Sequence, residues 1–345
     1  MLASKHLNIF AKTNSEMVAS FEKFNYLLRP NKSVERKMVC EMISGIAAIK
    51  DLSSYQYIGF GSTYFADFSL IHRSFGINRM ISIERQERAE RRCEFNKPYN
   101  CIELKIGNSY NILPNLDISN RDSIIWLDYD KQISDSVFSD INTVVTQMRP
   151  GSFFLLSINA EIKALQQPSE DGSTDAKKYL FDIIGEERFP NEYLDKPINK
   201  KTYLEILHTC VNQQILTAVQ KRNGMEDKKM VFRQTAHFVY RDGIRMLTIG
   251  GFLLEEENAE EQLTKMRIAN LPFYRNGKET FSIHCPVLSI KEIQALNSYL
   301  PCKPMDEESE MFEEEELNDF PVNNRDINDY ASLYRYFPNF AETIL

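Results

Sequence analysis

Three features of this sequence point to a doubly wound, mostly parallel α/β sheet closed by an antiparallel hairpin, with helical additions. From residue 55 short apolar runs alternate with longer amphipathic ones, the pattern of repeated βα units. The first apolar run passes through two spaced glycines, Gly59 and Gly61, directly into a helical pattern. Late in the chain two β-rich runs flank Arg241-Asp242-Gly243, a hairpin signal.

Taken in order, residues 1–50 read as a helical segment. Ser33 can cap a helix whose apolar positions Val34, Met38, Met42, Ile46 and Ile49 fall at intervals of three and four. Just before it, Arg29-Pro30-Asn31-Lys32 sets two cations beside a helix start stiffened by proline, either a capped turn or a clamp on cofactor or substrate. Strands are predicted over 55–58, 79–83, 101–106, 123–127 and 152–158, the last fully buried, with helices over 64–75, 86–96 and 136–148. Residues 160–230 are polar and mainly helical, with Tyr203, Ile206 and Leu207 on one apolar face, and suggest a lid or substrate-side insertion. The hairpin over 231–254 completes a domain spanning 51–255.

A C-terminal extension over 256–302 follows, ending in a helix with Ser289 as cap and Glu292 at its third position. An acidic linker covers 303–319. The closing segment 320–345 carries Tyr330, Tyr334, Tyr336, Phe337 and Phe340, too aromatic for a disordered tail, so it should pack back or form an oligomer or partner contact.

Composition excludes several function classes. Hydrophobic residues at 43% and charged residues at 26% are ordinary for globular proteins, so disorder and fibrous structure are not indicated. No apolar run approaches the roughly 20 residues that cross a bilayer, and the N-terminus lacks a signal peptide's apolar core, which points to a cytoplasmic protein without membrane contact. The six cysteines show no CxxC spacing, so no metal site or disulfide framework is expected. The net charge of −8 is matched by the acidic linker alone, leaving a balanced body whose charge does not indicate nucleic-acid binding.

The chemistry-bearing residues fall at the predicted strand ends. Gly59-Phe60-Gly61-Ser62-Thr63 forms a strand-to-helix turn where glycine lets backbone approach a ligand and a helix start offers free amides. Glu84 ends the second strand, where a carboxylate accepts hydrogen bonds from both ribose hydroxyls, and Arg85 follows it. Asn108 and Ser109 end the third, where an Asn can read an adenine edge, and Asp128-Tyr129-Asp130 ends the fourth. In contrast, the cations of 85–97 alternate with Glu87, Glu90 and Glu94 as a solvated, salt-bridged face.

On these residues the chain resembles class I S-adenosylmethionine-dependent methyltransferases, and more closely the bacterial proteins described as putative O-methyltransferases. The resemblance covers about 55–254 and rests on Ile58-Gly-Phe-Gly-Ser-Thr63, Glu84, Gly107-Asn108, Met148-Arg-Pro-Gly151 and the late hairpin. It implies S-adenosylmethionine as cofactor, bound by Gly59, Phe60, Gly61, Ser62, Thr63, Glu84, Arg85, Asn108, Ser109, Asp128 and Tyr129. Two departures stand out: Ser62, Thr63 and Tyr64 follow Gly61 where a third glycine is usual, and Tyr57 replaces the acid near the end of strand one. Neither proline of the Asp/Asn-Pro-Pro-Tyr/Phe motif accompanies Asp128, so methylation of exocyclic amino groups on bases is not implied.

The reaction this implies is methyl transfer to an oxygen acceptor that the sequence does not identify. Asp128 is the candidate base, with Asp130 and His237 as substitutes. His237 within the hairpin and His72 within the first sheet helix also read as structural histidines. A different class of function, a catalytically silent module that senses an adenosyl nucleotide through protein partners, suits the altered glycine loop and the aromatic C-terminus. A nicotinamide oxidoreductase needs a third glycine where Tyr64 stands.

Overall fold

The protein is described by a computed structural model covering residues 29–161, 176–225, 227–301 and 320–338. The acidic linker, Phe340, most of the N-terminal segment and part of the 160–230 insertion lie outside the described residues. Eight strands, β1 (Gln56–Gly59), β2 (Arg79–Glu84), β3 (Ile102–Ile106), β4 (Ser123–Asp128), β5 (Phe153–Asn159), β6 (Met230–Asp242), β7 (Ile244–Glu255) and β8 (Phe281–Ile283), form one sheet ordered β3-β2-β1-β4-β5-β7-β6-β8. The strands β1 to β5 pair in parallel, and β7 runs antiparallel between β5 and β6. Strand order reverses between β1 and β4, and the crevice beyond the carboxyl ends of those strands is where such sheets bind ligands.

The five parallel strands and the hairpin lie within a residue or two of the positions predicted from their apolar runs. Ile124, Ile125, Trp126 and Leu127 of β4 are all buried, as a central strand covered on both faces requires. Gly243, at a φ of +95°, supplies the left-handed residue on which the hairpin turns. Strand β8, three residues paired in parallel with β6, was not foreseen, because so short a run carries no periodicity.

Helix α1 (Pro30–Ser44) packs one face of the sheet, with Val34, Met38, Met42 and Ile43 fully buried. Ser33 is not its cap: the helix starts at Pro30, and its first amides are satisfied from the hairpin turn instead. The Asp242 carboxylate accepts from Asn31 N at 3.3 Å and from Lys32 N at 2.8 Å. An acid at a helix N-terminus also complements the helix dipole. The Arg29–Lys32 segment is thus held by a residue more than 200 positions away.

Helix α2 (Ala66–Phe75) follows β1, α3 (Glu90–Asn96) follows β2, the short α4 (Ser109–Ile112) follows β3, and α5 (Asp135–Gln147) precedes β5. In the 160–230 region, α6 (Ala176–Ile184) leads to the long helix α7 (Lys200–Asn223). Instead of forming a lid, α7 buries Tyr203, Ile206 and Leu207 in the hydrophobic cluster that also contains Ile125 and Leu127 of β4 and Val144 of α5. It is a layer helix, and none of its residues lines the cavity described below.

After the hairpin come α8 (Ala259–Met266) and α9 (Ile290–Asn297), the latter closed by the predicted Ser289–Glu292 capping box. Helix α10 (Asn324–Leu333) precedes the returning aromatics. Tyr330 and Tyr336 are buried, and Lys37 of α1 donates to the Tyr336 carbonyl at 2.8 Å.

Candidate active site

The carboxyl ends of β1, β2, β3 and β4 converge on one cavity of about 310 Å3. Of the residues predicted for the site, Phe60, Gly61, Ser62, Glu84, Arg85, Asn108, Ser109, Asp128 and Tyr129 line it, as does Asp130. Gly59 and Thr63 do not. Gly59 is the buried last residue of β1, and Thr63 is 5% exposed with its hydroxyl turned into the protein. His237, offered as an alternative base, is also absent from the lining. It is 1% exposed and stacks on the His208 ring at 4.3 Å, and burial holds it neutral with a pKa of about 4. His72 contacts the Ile77 carbonyl at 2.9 Å and lies tilted against the Tyr99 ring at 4.3 Å, a structural role.

The turn after β1 works differently from its sequence reading. A Cβ on Gly61 would lie 2.6 Å from both Phe65 Cδ1 and Ser82 Oγ, so glycine is required by packing as much as by ligand approach. The Gly61 amide donates to Ser82 Oγ at 3.1 Å, fixing the turn to β2. Ser62 has a φ of +49° and Phe65 of +48°, left-handed conformations that cost non-glycine residues about 1 kcal/mol or more and recur at ligand-binding turns. The chain therefore makes its tight turn without a third glycine.

Glu84 accepts from the Gln86 amide at 2.8 Å, and burial raises its carboxyl above the usual range. On the far wall Phe60 and Tyr129 meet edge to face at 4.9 Å. Tyr129 donates to Asp140 of α5, and Ser109 Oγ donates to the same oxygen at 2.5 Å. Asp140, fully buried, ties the β3 and β4 ends to α5; burial raises its carboxyl, and the Tyr129 phenol is raised by its own burial and then by the neighbouring Asp140 carboxylate. Sequence reasoning missed it, although an acid between Val137 and Ile141 on the apolar face of α5 is the available signal.

Asp128 closes the site against α1. Its Oδ2 lies 2.7 Å from the Nζ of Lys32, which is 3% exposed, and the same Nζ lies 2.6 Å from Glu35 Oε2. Lys32 also sits over the Trp126 ring at 4.4 Å. Although burial alone would lower the lysine, Asp128 and Glu35 together raise it, whereas burial raises Glu35. Glu35 in turn accepts from Thr248, which contacts Ser157 Oγ at 2.7 Å, and Ser157 receives Trp126 Nε1 at 2.9 Å. Four residues from Lys32, Arg36 lines the cavity, its Nε 3.8 Å from Asp67 Oδ1. Asp67 also accepts from the Tyr57 hydroxyl at 2.8 Å. Lys32 belongs to the segment flagged by its charge; Glu35, Arg36 and Asp67 carried no signal beyond charge at buried helical spacing.

Away from this site, His284, Asp326 and Asp329 bring ligand atoms within 4.8 Å of one another, and His284 Nδ1 lies 2.8 Å from Asp329 Oδ2. No described helix is long and apolar enough to cross a membrane.

The sheet order, the glycine turn after β1 and the acid that ends β2 match those of class I S-adenosylmethionine-dependent methyltransferases. The chain belongs to the family described as "Putative O-methyltransferase", which it matches over residues 24–345. No curated protein matches it. Among solved structures it is similar to the O-methyltransferase TomG from Streptomyces achromogenes, solved in complex with SAM, at 14% identity, covering 63% of this chain and 79% of that one with a TM-score of 0.33. It is similar to an O-methyltransferase from Bacillus cereus, solved with SAH, at 13% identity, 63% and 80% coverage and a TM-score of 0.33. A protein from Listeria monocytogenes described as a "putative S-adenosylmethionine dependent methyltransferase" is 10% identical, with 63% and 99% coverage and a TM-score of 0.34.

Proposed function

We propose that this protein transfers a methyl group from S-adenosylmethionine to an oxygen acceptor, a hydroxyl or a carboxylate, in the cavity at the β1–β4 ends. The observation that carries this reading is the convergence of Phe60, Gly61, Glu84, Asn108, Tyr129 and Asp128 on one cavity. Its volume falls at the small end of the range for ligand pockets, about 300–1,000 Å3. That suits one nucleoside-sized ligand with the acceptor arriving at its edge.

The donor set fits the cofactor. Glu84 takes the ribose hydroxyls, Asn108 and Ser109 the adenine edge, Phe60, backed edge to face by Tyr129, the apolar wall against the base, and Arg85 the outer rim. Gly61 and Ser62 bring backbone to the ligand, and Gly59 and Thr63 support that turn from beneath. Once bound, the cofactor supplies an already activated methyl group, so the protein's task is alignment and management of one proton. Asp128 is placed to orient an acceptor hydroxyl and receive its proton. Lys32 holds one of its oxygens at 2.7 Å, and the side chain remains 23% exposed.

The test follows labelled methyl transfer from S-adenosylmethionine into fractionated small-molecule extract, comparing the protein with Asp128→Asn. The reading expects labelled product, alkali-labile for an ester or alkali-stable for an ether, and loss of about 100-fold or more in rate for the variant, with cofactor binding retained. Binding without any transfer to any fraction would contradict it.

A further inference from the structure

We infer that Glu35, acting through Lys32, sets how readily Asp128 takes the proton of the methyl acceptor. This rests on the transfer reading above, for a hydroxyl acceptor, and extends it to a residue that stands wholly behind the cavity. Glu35 and Lys32 are positioning residues; only Asp128 meets the acceptor.

Neither Glu35 nor Lys32 lines the cavity, and they are 0% and 3% exposed. A buried lysine between two carboxylates is a costly arrangement that packing alone does not require, since Val34, Met38 and Met42 of the same helix fill their buried positions with apolar side chains. The geometry is directional. Lys32 Nζ lies 2.7 Å from Asp128 Oδ2, which leaves Oδ1 for the acceptor. The same Nζ lies 2.6 Å from Glu35 Oε2, and Thr248 of β7 donates to Glu35 Oε1. One oxygen of Glu35 is thus on the lysine and the other on a hydroxyl.

One cation serves two carboxylates. Lys32 alone would hold Asp128 firmly in its ionised form and make it a weak base; a carboxylate at Glu35 takes part of that cation's field and returns basicity to Asp128. The other charged and titratable groups around the pair leave this balance in place. Arg36 on α1 is offset by Asp67 on α2 at 3.8 Å, burial keeps the phenols of Tyr57 on β1 and Tyr240 on β6 neutral, and Trp126 on β4 offers a ring face. Asp130 and Lys131, just beyond β4, bring one charge of each sign. In the step itself the acceptor hydroxyl gives its proton to Asp128 Oδ1 as its oxygen takes the methyl carbon, and the electron pair of the broken carbon–sulfur bond stays on sulfur. Lys32 keeps its proton throughout.

The experiment follows initial rates of labelled methyl transfer from S-adenosylmethionine into the alkali-stable product fraction between about pH 5 and pH 9, for the intact protein, Lys32→Met, Glu35→Gln and Glu35→Asp. The acid limb of the rate profile should move up by about one pH unit or more in Lys32→Met and down by about half a unit or more in Glu35→Gln, with Glu35→Asp lying between Glu35→Gln and the intact protein. Opposite shifts are diagnostic, because a purely structural loss slows both variants without moving the limb. S-adenosylhomocysteine affinity within about twofold of the intact protein, by calorimetry, reports a folded cavity. Where Lys32→Met lacks it, the isosteric Glu35→Gln and its Glu35→Asp counterpart decide. Coincident profiles, shifts in one direction, or a product that is only an alkali-labile ester, formed without proton transfer, would overturn the inference and leave methyl transfer standing. No transfer by the intact protein would overturn both.

Discussion

Lys32 is the residue on which the α1 side of the site turns, and its replacement by methionine gives a measurable consequence. The substitution keeps the length and apolar stem of the side chain but removes a buried cation that lies 2.6 Å from Glu35 and 2.7 Å from Asp128. Breaking a buried ion pair by deleting one partner costs about 3–5 kcal/mol, because the remaining charge is desolvated without compensation. Unfolding entropy of roughly 2.1 cal/mol/K per residue over about 300 ordered residues converts this to a fall in Tm of about 5–8 °C.

The loss also has a pH signature. Glu35 is already raised above its usual range by burial, and without Lys32 it rises further. A group whose folded pKa is raised favours the folded state below its unfolded value, near 4.5, and that contribution is lost as pH rises through the folded value. The gap between the parent protein and Lys32→Met should therefore be smaller at pH 5 than at pH 8. Urea unfolding at both pH values measures it. A deficit below about 1 kcal/mol at pH 8, or a gap that shrinks as pH rises, would refute the reasoning.

Two further predictions follow from the same packing. His237→Phe keeps a ring against His208 but removes a group whose pKa is depressed to about 4 from an ordinary 6.5. That depression contributes stability above pH 6.5 that is lost as pH falls toward 4, so between pH 7 and 4 the variant should lose about 3 kcal/mol less than the parent; parallel urea-midpoint profiles would contradict this. Gly61→Ala drives a Cβ to 2.6 Å from Phe65 and Ser82, both buried, and should cost about 1–3 kcal/mol of stability and weaken adenosyl-ligand binding. Calorimetry that finds a stable, fully binding variant would show that the turn yields.

Much of this architecture was legible in the chain because its determinants are local. The apolar runs of β1 to β5, the Asp242-Gly243 turn and the Ser289–Glu292 capping box each carry their own signal within a few residues. The cavity-lining residues at the strand ends were legible for the same reason, since a parallel sheet places every carboxyl end on one edge. What sequence could not supply was long-range pairing. Ser33 looked like a cap because nothing near it reveals that Asp242 would take the first amides of α1. Lys32, Glu35 and Arg36 look like an ordinary charged helix face, and only the fold brings Asp128, Thr248 and Asp67 against them. Gly61 was read for its ligand-facing freedom, whereas the Phe65 ring already fills its Cβ position. The amphipathic face of α7 was real, but periodicity does not say whether such a face covers a sheet or a cavity.

The ligand of the cavity decides what this protein does. Calorimetric titration with S-adenosylmethionine and S-adenosylhomocysteine, repeated on Glu84→Ala, addresses it most directly. Both ligands should bind saturably, about tenfold or more weaker in the variant, because without Glu84 no carboxylate accepts from the ribose hydroxyls. No binding at millimolar ligand, weaker than about −4 kcal/mol, would rule out an adenosyl cofactor in this cavity. So would binding that Glu84→Ala leaves unchanged.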